Sequence, residues 1–413
     1  MPSSPSAHAI SAEDVGKARR LLEGQIQRTP MLPSPRLSAL TGAEVFVKYE
    51  NMQTTGSFKE RGAYVKLAGL TADERRRGVV AMSAGNHAQA VAFHASRLGI
   101  PATIVMPEAT PLVKVENTRG YGATVVLHGA TLVESEERTR QLMAEQGLVL
   151  VHPYDDPAVM AGQGTVALEM LAEAPGLDTL VIPIGGGGLC AGCAVAARSV
   201  SPSIRLVGVE AALYPSFVNA IDGGQRPIGG PTLAEGIAVK TVGALTLPIV
   251  RDLVEEILLV DEAAIESAVN AYATLARTMA EGAGAAGLAA LLAAPDRFRG
   301  RKVGLVLCGG NIDARLLASI MVRELEREAR ISSFRVTVQD RPGLLGQIAS
   351  RLGELGANIL EVSHGRLFLD VPAKGVSLDL TIETRDAAHT EAVLDALARD
   401  GLNPRRIERR SQF

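Results

Sequence analysis

Thr179-Leu180-Val181-Ile182-Pro183-Ile184-Gly185-Gly186-Gly187-Gly188-Leu189 sets a nearly unbroken apolar run directly against four glycines. An apolar run without polar alternation suits a strand buried on both faces, as in a parallel sheet covered by helices. The glycines allow a tight turn into a helix and leave backbone N–H groups exposed at its start. Gly186, Gly188 and Ala191 also satisfy G-x-G-x-x-A, and Glu210 ends the next strand, which is the dinucleotide fingerprint. On spacing alone, a phosphate cup and a dinucleotide site stand level.

The same strand-then-helix rhythm extends outward from this stretch. Upstream, strands are expected at 44–48, 78–82, 102–106, 123–127 and 148–151. Downstream they are expected at 205–209, 256–260 and 303–307, all separated by amphipathic stretches of helix length. That number of strands suggests two parallel sheets. Ser11, followed by Asp14, resembles a capping box and predicts a first helix to Leu22. After a charged helix over 313–330 the pattern changes. Ser333–Val338 alternates as an antiparallel strand should. A helix over 344–355, strands at 358–364 and 376–383, a helix over 388–400 and a short strand near 403–407 complete a ferredoxin-like βαββαβ order. These patterns place a domain boundary near Arg330. The first domain spans 1–330, with a small subdomain at about 45–155 inserted in a larger one, and the second spans 331–413.

A chain of 413 residues exceeds one ordinary domain. Its hydrophobic content is 47%, but aromatics make up only 3% and Trp is absent, so aliphatic side chains must fill the core. The net charge of -3 with mixed signs argues against a nucleic-acid surface. The Ser/Pro-rich start has no apolar run, no stretch has membrane-spanning length, and three cysteines form no disulfide framework. A cytoplasmic location is therefore expected.

Other segments carry chemistry. In Thr55-Gly56-Ser57-Phe58-Lys59-Glu60-Arg61-Gly62-Ala63, a desolvated Lys59 would form a Schiff base, although a lysine in a charged triplet is commonly a solvated surface residue. Ser83-Ala84-Gly85-Asn86-His87 follows a strand and opens a helix, a place for an anion or simply an Asn cap. Cys308-Gly309-Gly310-Asn311 again follows a strand, where a cysteine faces the ligand crevice of α/β proteins or is merely buried. Cys190-x-x-Cys193, among Ala and Gly, reads as structural.

Taken together, these segments resemble the fold-type II (tryptophan synthase β-like) pyridoxal-phosphate enzymes, and among them the threonine ammonia-lyases. Ser57–Ala63 is similar to the family's cofactor-lysine signature, Ser83–Gln89 to its asparagine loop and Gly185–Leu189 to its phosphate cup. Thr232–Val239 and Glu281–Ala285 are also similar in kind and order, over a span of about 29–330. The resemblance implies pyridoxal 5'-phosphate as cofactor, with Lys59 as both anchor and base. Phe58 would lie against the cofactor ring, Asn86 on its 3-hydroxyl, and Gly185, Gly186, Gly187, Gly188 and Leu189 around its phosphate. Cys308 would face the pyridine nitrogen. Ser83, Ala84, Gly85, Asn86 and His87 would hold the substrate carboxylate. The implied substrate is a small hydroxy amino acid, L-threonine and also L-serine. Ala84 stands where serine racemases carry a second serine. Glu210 matches a divalent ligand of some relatives, but 211–219 contains no acid, so no metal is assigned.

The region 333–407 resembles an ACT domain through Asp340-Arg341-Pro342-Gly343-Leu344-Leu345 and Leu355-Gly356-Ala357-Asn358-Ile359. Gly343, Leu344 and Asn358 would form a regulatory site for isoleucine or valine, shared between subunits of a homodimer or homotetramer. The competing readings are a serine racemase or hydroxyaspartate dehydratase, an NAD-dependent oxidoreductase, and a non-catalytic amino-acid sensor.

Overall fold

The computed structural model describes residues 8–365 and 375–407; of the Ser/Pro-rich start, residues 1–7 lie outside them. The chain divides into two compact units, the first ending at Asp313 and the second beginning at Ala314. The helix Ala314–Arg327 thus falls in the second unit.

In the first unit the strands are β1 (Met31–Pro33), β2 (Glu44–Tyr49), β3 (Val79–Met82), β4 (Ala102–Met106), β5 (Thr124–Leu127), β6 (Val149–Leu150), β7 (Thr179–Pro183), β8 (Arg205–Ala211), β9 (Glu256–Val260) and β10 (Lys302–Leu307). They form a six-stranded sheet in the order β1-β2-β10-β7-β8-β9 and a four-stranded sheet in the order β5-β4-β3-β6. Every pairing is parallel except β1 with β2. The apolar run at 179–183 is the core of the larger sheet, buried at all five positions and flanked by β10 and β8. β1 escapes the periodicity because it is three residues long and ends in Pro33, which suits only an edge.

Local signals place several helix ends. Ser11 and Asp14 make both bonds of the capping box at the helix Ala12–Leu22. Asp156 accepts from the N–H groups of Ala158 and Val159, and Pro157 opens the helix Pro157–Glu173. The smaller sheet packs Val79, Ala81, Ile104 and Met106 against Ala88, Val91 and Ala95 of the helix Asn86–Arg97.

The second unit contains β11 (Ile331–Gln339), β12 (Asn358–Gly365), β13 (Gly375–Glu383) and β14 (Arg405–Arg406), antiparallel in the order β12-β13-β11-β14. Phe334, Val336, Leu378 and Leu380 face Leu344, Ile348 and Leu352 of the helix Leu344–Glu354 across one core. That is the ferredoxin-like βαββαβ arrangement. No helix among the described residues is long and apolar enough to cross a membrane.

Candidate active site

The helix Lys59–Ala68 starts beside the chain that follows β10 and the chain that follows β6. The helix start is pinned to the end of β10: Phe58 N–H donates to the Cys308 carbonyl at 3.0 Å, and Ser57 bridges to Gly309. Lys59 Nζ donates to the Pro153 carbonyl at 2.7 Å and sits 5.1 Å from the centre of the Phe58 ring. Burial lowers the Lys59 amine to about 8, although Cys308 and Glu281 pull it upward. A depressed amine of this kind has a usable neutral fraction near physiological pH, as a carbonyl-trapping lysine needs.

The glycine turn after β7 provides an anion cradle. The backbone N–H groups of Gly186, Gly187, Gly188 and Leu189 are buried and have no acceptor within the protein. Buried N–H groups are normally paired, so this cluster at the start of the helix Gly188–Val200 is shaped for an anion. A side chain at Gly187, whose φ is 93°, would meet Phe217 and Thr246; one at Gly186 would run into the Tyr154 ring.

The segment 83–87 runs from the end of β3 into the first turn of the helix Asn86–Arg97. Gly85 N–H donates to Ser83 Oγ at 3.2 Å. The N–H groups of Ala84, Asn86 and His87 have no protein acceptor, so they are available to a carboxylate. The His87 ring does not join them. It is buried, bonds the Val151 carbonyl through Nε2 at 2.8 Å, and is pushed down to about 3 by burial and then by Lys59. Asn86 donates through Nδ2 to Glu281 at 2.8 Å and accepts at Oδ1 from Asn311 at 2.8 Å. The Cys308 thiol is buried, and burial raises it far enough to keep it protonated.

Sequence reading missed the segment Val151–Asp156, which binds these parts together. Val151 and Pro153 supply the carbonyls for His87 and Lys59. Tyr154 covers Gly186, with its hydroxyl on the Thr241 carbonyl at 3.1 Å. Asp155 accepts from Ala244, Leu245 and Thr246. Asp156 pairs with Lys66 on the Lys59 helix at 2.6 Å. Only its position directly after a strand hinted at a role. Glu210 behaves otherwise than a ribose-binding acid would: its buried carboxylate takes the N–H groups of Phe217 and Val218. Cys190 and Cys193 are buried thiols raised by burial, and Cys193 donates to the Gln163 carbonyl.

An orphaned N–H cradle, a desolvated lysine and a fixed carboxamide suit a phosphate-bearing aldehyde. The family model of pyridoxal-phosphate dependent enzymes matches residues 22–309, and the ACT domain model matches residues 332–401. The chain belongs to the pyridoxal-phosphate dependent enzymes, and its cofactor is pyridoxal 5'-phosphate. It is 43% identical over 398 residues to the L-threonine ammonia-lyase of Thermotoga maritima, a match covering 96% of this chain and 99% of that one. Among solved structures, a T.th. threonine deaminase superposes with a TM-score of 0.69 at 40% identity, covering 73% of this chain and 99% of the other. Maize serine racemase superposes with a TM-score of 0.72 at 35% identity, covering 78% and 100%.

Proposed function

We propose that this enzyme converts L-threonine to 2-oxobutanoate and ammonia, and L-serine to pyruvate and ammonia. The observation that carries this reading is the Lys59 amine, lowered to about 8 and held at 2.7 Å by the Pro153 carbonyl, in the same short segment that bonds His87 of the asparagine loop through Val151 and covers Gly186 with Tyr154. The cofactor, when bound, supplies an electron sink at the substrate Cα. Lys59 would anchor it, and the Lys59 amine would take the Cα proton. Gly185 to Leu189 would hold the phosphate through backbone N–H groups, while Asn86 would donate to the 3-oxygen. The N–H groups of Ala84, Asn86 and His87, with the Ser83 hydroxyl, orient the substrate carboxylate. Cys308, a buried thiol held neutral, would offer the pyridine nitrogen no carboxylate partner. A cofactor ring without that partner would be the weaker electron sink, which suits an elimination in which Cα gives up its proton and the β-hydroxyl takes one and leaves as water. The released enamine tautomerises and hydrolyses in water.

The racemase alternative requires a second proton carrier on the opposite face of Cα. Ala84, at the place of the racemases' second serine, has no exchangeable proton. Purified holoenzyme given L-serine should therefore form pyruvate with almost no D-serine, read by chiral chromatography, and should form 2-oxobutanoate from L-threonine. Comparable amounts of D-serine and pyruvate would sink this reading.

The second unit would act as an amino-acid sensor. Gly343, at φ 82°, turns into the helix Leu344–Glu354 and leaves the N–H of Leu345 without a protein acceptor. Leu344 packs in the core, and Asn358 opens β12 with its amide 3.5 Å from Glu383. One ACT domain per chain means that paired sites need a homodimer or homotetramer, and the setting is cytoplasmic. An effector acts only through different affinity for two arrangements, commonly about 5- to 150-fold. Isoleucine or valine should shift the kinetics of the full chain but not those of a chain cut after Arg330. No calorimetric binding and no kinetic response in the full chain would eliminate the branched-chain effector.

A further inference from the structure

The Asn86 carboxamide is held from both ends. Its Nδ2 donates to Glu281 Oε1 at 2.8 Å, and its Oδ1 accepts from Asn311 Nδ2 at 2.8 Å. Asn311 Nδ2 also donates to the Thr55 carbonyl at 2.8 Å, which occupies both of its amide hydrogens. Asn86 therefore has one amide hydrogen left over. The alternative amide orientation would set Oδ1 against a carboxylate, acceptor to acceptor, and Nδ2 against Nδ2, donor to donor. The surrounding backbone is packed for this contact. A methyl group at Gly309 would collide with Glu281 Oε1 and lie 3.1 Å from Asn86 Nδ2. Glu281 N–H is itself tied to the Gly309 carbonyl at 3.1 Å.

We propose that Glu281 and Asn311 are positioning residues of the reaction, locking the Asn86 carboxamide so that a hydrogen, never its oxygen, is presented to the cofactor's 3-oxygen. This rests on the cofactor-site reading above and adds to it the residues that enforce one orientation. The lock depends on charge. An ionised Glu281 can only accept, whereas a protonated one can donate and would tolerate the flipped amide. Burial raises Glu281 to about 7; the hydrogen bond from Asn86 opposes this, as does Lys114, while Glu235 adds to it. Lys59 and the Cys308 thiol are the other titratable groups within electrostatic reach. The lock is therefore complete on the alkaline side of neutrality and loosens as pH falls through that region.

The test uses holoenzyme and reads the violet absorption of the bound cofactor alongside kinetics. In the unmodified enzyme, both the band and kcat should change across one transition near neutral pH. Glu281→Gln can present either a donor or an acceptor. It should remove that transition, shift the band, and lower kcat by about a hundredfold with little change in KM, as expected for misplacement of a reacting group. Glu281→Asp, which keeps the charge, should restore the transition in part. Asn311→Asp puts an acceptor against Asn86 Oδ1 at an exposed position, and should shift the band by itself. If Glu281→Gln fails to fold, as judged by circular dichroism, the Asn311→Asp spectrum decides. Variants that keep the band, the transition and kcat unchanged overturn the positioning roles. Loss of the band in Lys59→Ala alongside that outcome would leave the cofactor-site reading standing, whereas its persistence would remove the reading itself.

Discussion

Lys59→Ala is expected to abolish ammonia release from threonine, by about 10⁴-fold or more, and to eliminate the violet band that borohydride bleaches. The amine is needed twice, as covalent anchor and as base, so deleting it removes two contributions at once. Bulk is not the reason: Nζ makes one hydrogen bond, to the Pro153 carbonyl, and the helix that carries it is held by other residues. The variant should accordingly keep its circular dichroism spectrum and melting profile. Its depressed amine also gives a sign for pH. The neutral fraction grows by about tenfold per pH unit up to the vicinity of 8 and then levels, so capture of free cofactor should follow that course. Near-normal turnover by the alanine variant would show that another group carries the chemistry.

The second large effect concerns stability. Arg61 lies two residues beyond Lys59, is fully buried, and donates to both oxygens of Glu50 at 2.7 Å. It also reaches both oxygens of Glu169, at 2.7 and 2.8 Å, and Thr165 Oγ1 at 3.0 Å. Lys48, equally buried, meets Glu169 at 2.7 Å and the Thr29 carbonyl at 2.6 Å. Arg61→Ala would leave Glu50 buried with only Thr29 and Gln53 to bond. Breaking such a pair by removing one partner commonly costs about 3–5 kcal/mol. The loss should appear as a lower urea midpoint of the catalytic unit. Combining Arg61→Met with Glu50→Met should recover part of it, because the stranded charge is gone and Glu169 keeps Lys48. A drop below about 1 kcal/mol for Arg61→Ala would mean that the network does not hold this helix.

Much of the molecule was determined by local pattern. The apolar run 179–184, the glycines behind it and the repeated strand-helix spacing specify a covered parallel sheet, because only a strand buried on both faces lacks polar alternation. The alternating stretch after Arg330 likewise specifies an antiparallel sheet with helices on one side. What local pattern could not decide was pairing and burial. β10 comes last in the catalytic unit yet lies between β2 and β7, and β1 joins as a three-residue edge. Glu60 and Arg61, in a charged triplet that reads as solvated, are buried because Glu50, Glu169 and His94 arrive from distant segments. Glu210 fits a cofactor fingerprint by spacing, but the fold spends its carboxylate on the N–H groups of Phe217 and Val218. The Pro153 carbonyl beneath Lys59 and the Glu281–Asn86–Asn311 chain have no periodicity to betray them. Backbone carbonyls and single polar side chains acquire their meaning from partners more than 90 residues away in sequence, at distances that only the tertiary structure sets.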